Sequence, residues 1–230
     1  MKKKLFIAGN WKSFKSLKDA DDWLASFAKL FRTHTISKDV TVILCPPYTL
    51  LAYCSEQVKS LGLPIELGGQ DVSPFTEGAY TGEINAKQLS EFADWTIVGH
   101  SERRKNLGET DNLLFKKVDQ AKEHRLKVLY CVQNETVAVP QRADVIAYEP
   151  PWAISAVSGW KAENPESAER ICAQIAAAHP HTPILYGGSS SPENIISYLT
   201  QPSIWGVLSG GASLDPVKFF SMIESAALSG

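Results

Sequence analysis

The feature of this sequence that most constrains its fold is a regular alternation of short apolar runs with longer amphipathic segments. The apolar runs are rich in Val, Ile and Leu and show no alternation of polar and apolar residues, which is typical of strands covered on both faces. The predicted strands are Leu5–Gly9, Val40–Cys45, Ile65–Gly69, Trp95–Gly99, Val128–Val132, Val145–Tyr148, Ile184–Tyr186 and Ile204–Leu208.

The segments between these strands show helical periodicity. In Asp19–Phe31, the side chains of Trp23 and Phe27 fall on one face of a helix together with further apolar residues. The other predicted helices are Leu50–Leu61, Ala86–Phe92, Asn112–His124, Pro165–Ala178, Pro192–Leu199 and Asp215–Ala227. Ser191 and Asp215 each precede a proline, which predicts that each caps a helix with proline in its first turn.

Strict alternation of strands and helices predicts parallel strands joined by helical crossovers. The 230 residues divided among eight units give about 29 residues per unit. A closed (β/α)8 barrel accounts for eight such units in a single domain over residues 1–230. A doubly wound open sheet is the competing architecture, because periodicity does not distinguish the two. Only Gln133–Asp144 separates the fifth and sixth strands, so the helix between them is predicted to be reduced or missing.

Charge and hydropathy exclude several classes of partner. The formal net charge is −2, from 23 basic and 25 acidic residues, and this balance provides no basic surface for nucleic acid or an anionic membrane. No stretch approaches the 18 consecutive apolar residues of a membrane span. The apolar run after Lys2–Lys4 ends at Gly9, too early for a signal peptide. We therefore expect a cytoplasmic protein that binds neither nucleic acid nor membrane.

The cysteines give no indication of a metal site. The chain contains four of them, which are Cys45, Cys54, Cys131 and Cys172. They are scattered, form no CxxC pair and have no histidine at the spacing of a metal ligand. Reduced thiols buried in a core are the prediction, and no metal is expected.

Polar side chains follow several predicted strands directly. Asn10 and Lys12 follow the first strand, His100 and Glu102 the fourth, and Glu149 the sixth. A single lysine or histidine at such a position is more often a surface or capping residue, whereas a carboxylate at the end of an apolar strand has little local reason to be there. Because active sites of α/β barrels form at the carboxyl ends of the strands, we expect these side chains to share one rim.

Glycine-rich turns follow the last two predicted strands. They are Gly187-Gly188-Ser189 and Gly210-Gly211-Ala212-Ser213, at positions where this fold often holds a phosphate on backbone N–H groups. With the cation, imidazole and carboxylate at the other strand ends, they predict a site that anchors phosphate and supplies a base and electrophiles. The sequence contains no GxGxxG, Walker, HExxH or GxSxG motif, which argues against a dinucleotide-binding protein, a nucleoside-triphosphate-binding protein, a zinc protease and a hydrolase with a nucleophilic serine.

These segments together resemble the signature blocks of the triosephosphate isomerase family. The matching blocks are Asn10-Trp11-Lys12, Gly99–Arg104, Gly108-Glu109-Thr110, Tyr148–Ile154, Tyr186–Ser189 and Gly210–Leu214. They occur in order across nearly the whole chain. Ala79–Glu83 also resembles the dimer loop of that family. The resemblance implies a TIM barrel and a homodimer formed through the loop around Phe75–Gly82, with a tetramer as the alternative.

The resemblance also implies a reaction, the cofactor-independent interconversion of glyceraldehyde 3-phosphate and dihydroxyacetone phosphate. It implies that Glu149 removes a carbon-bound proton, that His100 polarises the carbonyl and shuttles protons, and that Lys12 stabilises the enediolate. Glu102 is implied to hold Lys12 in place. The substrate-binding residues that it implies are Asn10, Lys12, Ser155, Ser189, Gly210 and Gly211.

Two segments depart from the family pattern. The lid after Glu149 usually reads AIGTG, whereas Ala153–Gly159 reads AISAVSG and is about three residues longer. Ser155 is therefore expected to donate the N–H that a glycine usually provides, and Ile154 with Leu208 is expected to close over the glutamate. The second departure is the short stretch after Cys131, which is similar to a compact archaeal branch that includes tetramers.

The altered lid leaves alternative functions open. One is a paralogue that binds phosphate but is catalytically impaired. Another is a different barrel enzyme that acts on a phosphorylated sugar or an indole-type substrate. The presence of the four central groups, Asn10, Lys12, His100 and Glu149, favours an active isomerase.

Overall fold

Parallel strands close into a barrel in the computed structural model, which describes residues 3–34, 37–153 and 162–229. Each strand pairs with the next along the chain, and the last pairs with the first. The strands are β1 Leu5–Asn10, β2 Val40–Cys45, β3 Glu66–Gly69, β4 Trp95–Val98, β5 Lys127–Val132, β6 Val145–Tyr148, β7 Ile184–Tyr186 and β8 Ile204–Ser209. The closed order confirms the barrel and excludes the open sheet. Every predicted strand is present, and no bound differs by more than one residue.

Helices surround the barrel between most of the strands. They are α1 Leu17–Thr33, α2 Tyr48–Ser60, α3 Ala86–Leu89, α4 Ser101–Leu107, α5 Asp111–Glu123, α6 Pro165–Ala178, α7 Ile195–Leu199 and α8 Pro216–Ser229. Two short 3-10 helices cover Pro151–Ala153 and Gly211–Leu214. Within the described ranges, no helix is long and apolar enough to cross a membrane.

The segment between β5 and β6 forms turns and no helix, as its length predicts. All of residues 133–144 are described there. Val137, Val139 and Ala143 pack against the outer core in place of a helix. Asp144 fixes the end of this segment, since its carboxylate accepts hydrogen bonds from the Val128 N–H (2.7 Å) and from Lys122 Nζ (2.7 Å).

The helix predictions were wrong at three points. Helix α3 ends at Leu89 and not at the predicted Phe92, because residues 90–92 form turns. Helix α4 was not predicted, because all of its residues except Leu107 are polar, none of them is buried, and an apolar stripe is absent. Pro192 does not begin a helix, since the chain forms a turn there and α7 begins only after Asn194. The Asn194 side chain accepts the Ser191 N–H at 2.8 Å, so this asparagine closes the turn that precedes α7.

The predicted cap at Asp215 is present. Helix α8 begins at Pro216, and Asp215 Oδ1 accepts the N–H groups of Val217 (2.8 Å) and Lys218 (3.1 Å). The proline lacks an N–H that would go unpaired in the first turn, so both residues suit the start of a helix.

The core has two layers, because successive side chains of a strand point to opposite faces of the sheet. On β5, Leu129 and Cys131 point into the barrel, whereas Tyr130 and Val132 pack under the helices. All four cysteines are buried and free, as predicted. Burial raises the pKa of the Cys45 thiol to about 12.

Candidate active site

The carboxyl ends of β1, β4, β6, β7 and β8 meet around one cleft. Its open space, which includes the solvent at its mouth, is about 420 Å³. The lining residues are Asn10, Lys12, His100, Glu149, Gly187, Gly188, Ser189, Ser190, Leu208, Gly210 and Gly211. The barrel therefore brings most of the predicted site residues together. Two others, Ile154 and Ser155, lie outside the described residues.

Glu149 is buried at the end of β6, with only 1% of its surface exposed. Its Oε2 accepts the N–H of Ser101, the first residue of α4, at 2.7 Å. Its Oε1 lies 3.0 Å from His100 Nε2. Gly187 allows this position, because a Cβ at residue 187 would lie 2.8 Å from Glu149 Cγ. The carboxylate is thus held against the side of the cleft by two donors.

His100 occupies the turn between β4 and α4, directly before the helix. Its Nδ1 accepts the N–H of Glu102 at 3.2 Å. An imidazole nitrogen that accepts a hydrogen bond carries no proton, so the ring proton of His100 is assigned to Nε2. Nε2 therefore donates to Glu149, and the ring in this arrangement is a neutral imidazole.

Lys12 is held in a left-handed backbone conformation, with φ of 52°. Such a conformation is unfavourable for residues other than glycine, and neighbouring contacts stabilise it here. Its N–H donates to Asn10 Oδ1 (2.9 Å), and its carbonyl accepts from Gln70 Nε2 (2.8 Å). Its ammonium contacts Glu102 Oε1 at 2.6 Å. Contacts of the Lys12 backbone and of its ammonium group therefore direct this cation into the cleft.

Comparison with known proteins agrees with this geometry. The family model described as triosephosphate isomerase matches residues 5–226. The chain belongs to the triosephosphate isomerase family. Named triosephosphate isomerases from Trichormus variabilis and Nostoc punctiforme are 36% and 38% identical over 245 residues, which is 96% of this chain and 99% and 98% of those proteins. One from Gloeobacter violaceus is 37% identical over 241 residues, 95% of this chain and 97% of that protein.

Membership in the triosephosphate isomerase family makes this chain an isomerase. The match extends over nearly the full length of the chain and of each relative. A barrel enzyme of another class is therefore excluded, and the catalytically impaired paralogue is not favoured.

Ser189 lies at the cleft, but both of its donors point to the same carbonyl. Its N–H and its hydroxyl each donate to the Ala153 oxygen at 2.9 Å. Ala153 is the last described residue before the segment that begins at Ile154. A phosphate that takes hydrogen bonds from Ser189 must therefore replace the Ala153 carbonyl.

Two residues of the site were not predicted from the sequence. Gln70, which supports the Lys12 backbone, follows β3 directly, and this position at a strand end was the available signal. Ser190 lines the cleft beside Ser189, but a serine in a turn gives no sequence signal of its own.

A second group of charged side chains lies behind the site and fixes helix α4. Lys117 on α5 contacts Asp71 Oδ2 at 2.6 Å and Glu109 Oε1 at 2.5 Å. Arg103 on α4 contacts the same two oxygens at 2.7 and 2.8 Å. Burial raises the pKa of Asp71. Burial also acts to raise the pKa of Glu109, but hydrogen bonds from Lys117 and Arg103 outweigh it and lower that pKa.

The donors around the cleft do not form a metal site. Among the residues that the structure describes, no group of three or more His, Cys, Asp and Glu side chains could hold a metal ion.

Proposed function

We propose that this chain interconverts glyceraldehyde 3-phosphate and dihydroxyacetone phosphate, with Glu149 as the general base. The observation that supports this most directly is the contact between a buried carboxylate and the proton-bearing Nε2 of His100, 3.0 Å apart at the edge of the cleft. Base and electrophile are thus neighbours, as removal of a proton next to a carbonyl requires. Membership in the triosephosphate isomerase family supports the same substrate pair.

The proposed reaction begins with transfer of a proton from carbon to the Glu149 carboxylate. The electron pair of the broken C–H bond forms a carbon–carbon double bond, and the carbonyl oxygen becomes an enediolate oxygen. His100 Nε2–H donates to that oxygen, and the Lys12 ammonium stabilises its negative charge. The carboxylic acid then returns the proton to the neighbouring carbon, while His100 moves a proton between the two oxygens. General-base catalysis of this kind contributes about 10²–10⁴-fold to the rate.

Glu149 must change partners before it can act. Its two oxygens are occupied by Ser101 N–H and His100 Nε2 in the described arrangement. We propose that the substrate carbonyl replaces the carboxylate as the acceptor of the His100 proton. The carboxylate then leaves Ser101 and turns toward the substrate carbon.

The phosphoryl group is assigned to the glycine turns after β7 and β8. We propose that Gly210, Gly211 and Ser189 donate N–H groups to it, with Ser155 as a further donor. The start of the 3-10 helix at Gly211 provides backbone N–H groups that favour an anion. Asn10 orients Lys12, which is shared between the phosphoryl group and the enediolate. Leu208 and Ile154 are proposed to cover the glutamate from water.

The experiment that tests this proposal compares the purified wild type with Glu149→Gln in a coupled isomerase assay. We expect rapid conversion by the wild type and a 10²–10⁴-fold lower kcat for the variant. Because the amide keeps the shape of the carboxylate, binding of inorganic phosphate should be unchanged in calorimetry. Wild-type turnover by the variant would show that another group is the base. A wild type that binds phosphate without turnover would be the impaired paralogue.

We also propose that two copies of the chain associate through the loop around Phe75–Gly82. Phe75 and Tyr80 stack with ring centroids 4.1 Å apart, although 41% and 44% of their surfaces are exposed. Light scattering should give about twice the 25.2 kDa of one chain. A monomer, or the tetramer of the alternative prediction, would contradict the dimer. A single domain and a cytoplasmic location are further predictions from the sequence.

A further inference from the structure

Ser190 carries a buried hydroxyl group at the cleft. The residue is 9% exposed and lines the cleft next to Ser189. Its Oγ has no partner among the described residues. Buried hydroxyls in native proteins are nearly always paired, and those that are not call for an explanation.

Serine hydroxyls in the turns after β7 and β8 are paired elsewhere. Ser189 Oγ donates to Ala153 O at 2.9 Å, and Ser213 Oγ donates to Gly210 O at 2.6 Å. Ser190 Oγ shares neither acceptor among the described residues. Its hydroxyl is therefore a donor available on the side of the site that carries the glycine turns.

We propose that Ser190 Oγ donates a hydrogen bond to the phosphoryl group of the substrate. This inference rests on the proposed function, because it assigns the phosphoryl group to the turns that contain Ser189, Gly210 and Gly211. A serine hydroxyl can be redirected by rotation about a single side-chain bond, and a phosphoryl oxygen is a charged acceptor. Ser190 would then bind the phosphoryl group through a side chain, in addition to the backbone donors.

The chain offers a matched control at Ser209. This hydroxyl is also buried and has no partner in the described part of the chain, and the residue is 1% exposed. Ser209 ends β8, one residue beyond Leu208, but it does not line the cleft. Replacing Ser209 by alanine removes the same group from the neighbouring strand end without touching a bound phosphate.

The test uses Ser190→Ala and Ser209→Ala, with inorganic phosphate as the probe in calorimetry. We expect about 10-fold weaker phosphate binding for Ser190→Ala, since a hydrogen bond to a charged group is lost. The KM for glyceraldehyde 3-phosphate should rise by a similar factor. Turnover of glyceraldehyde, which has no phosphoryl group, should be unchanged. Ser209→Ala should match the wild type in all three measurements.

Several results would overturn the inference. Phosphate binding by Ser190→Ala within twofold of the wild type would exclude the contact, as would a wild type with no measurable phosphate binding. Equal losses in both variants would assign the effect to packing. A parallel loss with glyceraldehyde would place Ser190 at the reacting carbons instead. If the wild type binds phosphate but has no isomerase activity, the proposed function fails, whereas the phosphate measurement still decides the role of Ser190.

Discussion

Two groups of ionisable side chains meet at helix α4, and they differ in how many partners their lysine ammonium groups have. The open cluster consists of Lys12, His100, Glu102 and Glu149. The closed cluster consists of Asp71, Arg103, Glu109 and Lys117. Glu102 and Arg103 are neighbours in the chain, so a single short helix supplies a member to each cluster.

The lysines show the contrast most clearly. Lys117 has a side chain that is 3% exposed, and its ammonium contacts three carboxylate oxygens of Asp71 and Glu109. Lys12 is 17% exposed and contacts one carboxylate oxygen, that of Glu102, among the described residues. A charged group that contacts several fixed partners keeps the surrounding backbone in place. A charge that faces a cleft with few partners can bind a substrate and change partners during a reaction.

The closed cluster is needed because α4 has no apolar face of its own. None of its residues is buried, so hydrophobic packing contributes little to its position. Arg103 joins the closed cluster, and Arg104 contacts Asp111 Oδ1 at 2.7 Å and donates to the Gly99 carbonyl at 2.9 Å. These contacts fix the helix that positions His100 and Glu102.

The largest effect on stability is expected for Lys117→Met. Removal of this ammonium leaves Asp71 and Glu109 buried with only Arg103 as a cationic partner, and breaking a buried ion pair from one side costs about 3–5 kcal/mol. Urea denaturation should show a loss of this size in the free energy of unfolding. The kcat/KM of the folded fraction should change by less than about 10-fold, or about 1.4 kcal/mol.

Lys116→Met is the control for that measurement, because Lys116 is exposed on the same helix. We expect a change within about 0.5 kcal/mol for this variant. Equal stability of the two variants would contradict the distinction between the clusters.

Lys12→Met is expected to show the opposite pattern. Loss of the cation that stabilises the enediolate should lower kcat/KM by about 10²–10³-fold, equivalent to about 2.7–4 kcal/mol, with a higher KM as well as a lower kcat. The free energy of unfolding should change by less than about 1 kcal/mol, since the Glu102 partner is partly exposed. Steady-state kinetics and urea denaturation on the same sample would measure the effects on kcat/KM and on the free energy of unfolding. An unchanged KM would mean that Lys12 does not contact the phosphoryl group.

The smallest expected effect is the pH dependence of the stability that the closed cluster provides. The pKa of Glu109 lies below its usual value of 4.5 in the folded protein, because its bonds to Lys117 and Arg103 outweigh burial. Its contribution to stability is therefore present above pH 4.5 and is lost as the pH falls through the lower folded pKa. Burial raises the pKa of Asp71, so protonation of Asp71 in acid removes an unfavourable buried charge. This effect partly offsets the stability that is lost when Glu109 is protonated.

Glu109→Gln should accordingly lose less stability than the wild type as the pH falls below 4.5. The measurement is the free energy of unfolding between about pH 3 and 6. Glu56→Gln, at an exposed position on α2, should follow the wild-type curve. If the free energy of unfolding changed equally with pH in the wild type and in Glu109→Gln, Glu109 would not contribute to the pH dependence of the closed cluster.

The local hydrophobic pattern of the sequence was sufficient to predict most of the strands and helices. The apolar strands were predicted to within one residue, because a strand that is covered on both faces has apolar side chains at consecutive positions. Helix α4 could not be predicted in this way, since ion pairs of Arg103 with Asp71, which follows β3, and with Glu109, which precedes α5, hold it and no apolar stripe does. The N-terminal bound of α7 was wrong because the Asn194 side chain closes a turn where Pro192 indicated a helix.

The sequence by itself determined the alternation of strands and helices, the family and the strand ends that carry polar side chains, because these depend on hydrophobic periodicity and on motif order. The closure of the strands into a barrel was decided by the tertiary structure. Only the tertiary structure decided which atoms meet. Lys12 and Glu102 are 90 positions apart, and Lys117 and Asp71 are 46 apart. Their contacts exist because the closed barrel sets the height and rotation of each strand end. In the described part of the chain Ser190 Oγ has no hydrogen-bond partner, and a sequence pattern does not encode such an arrangement.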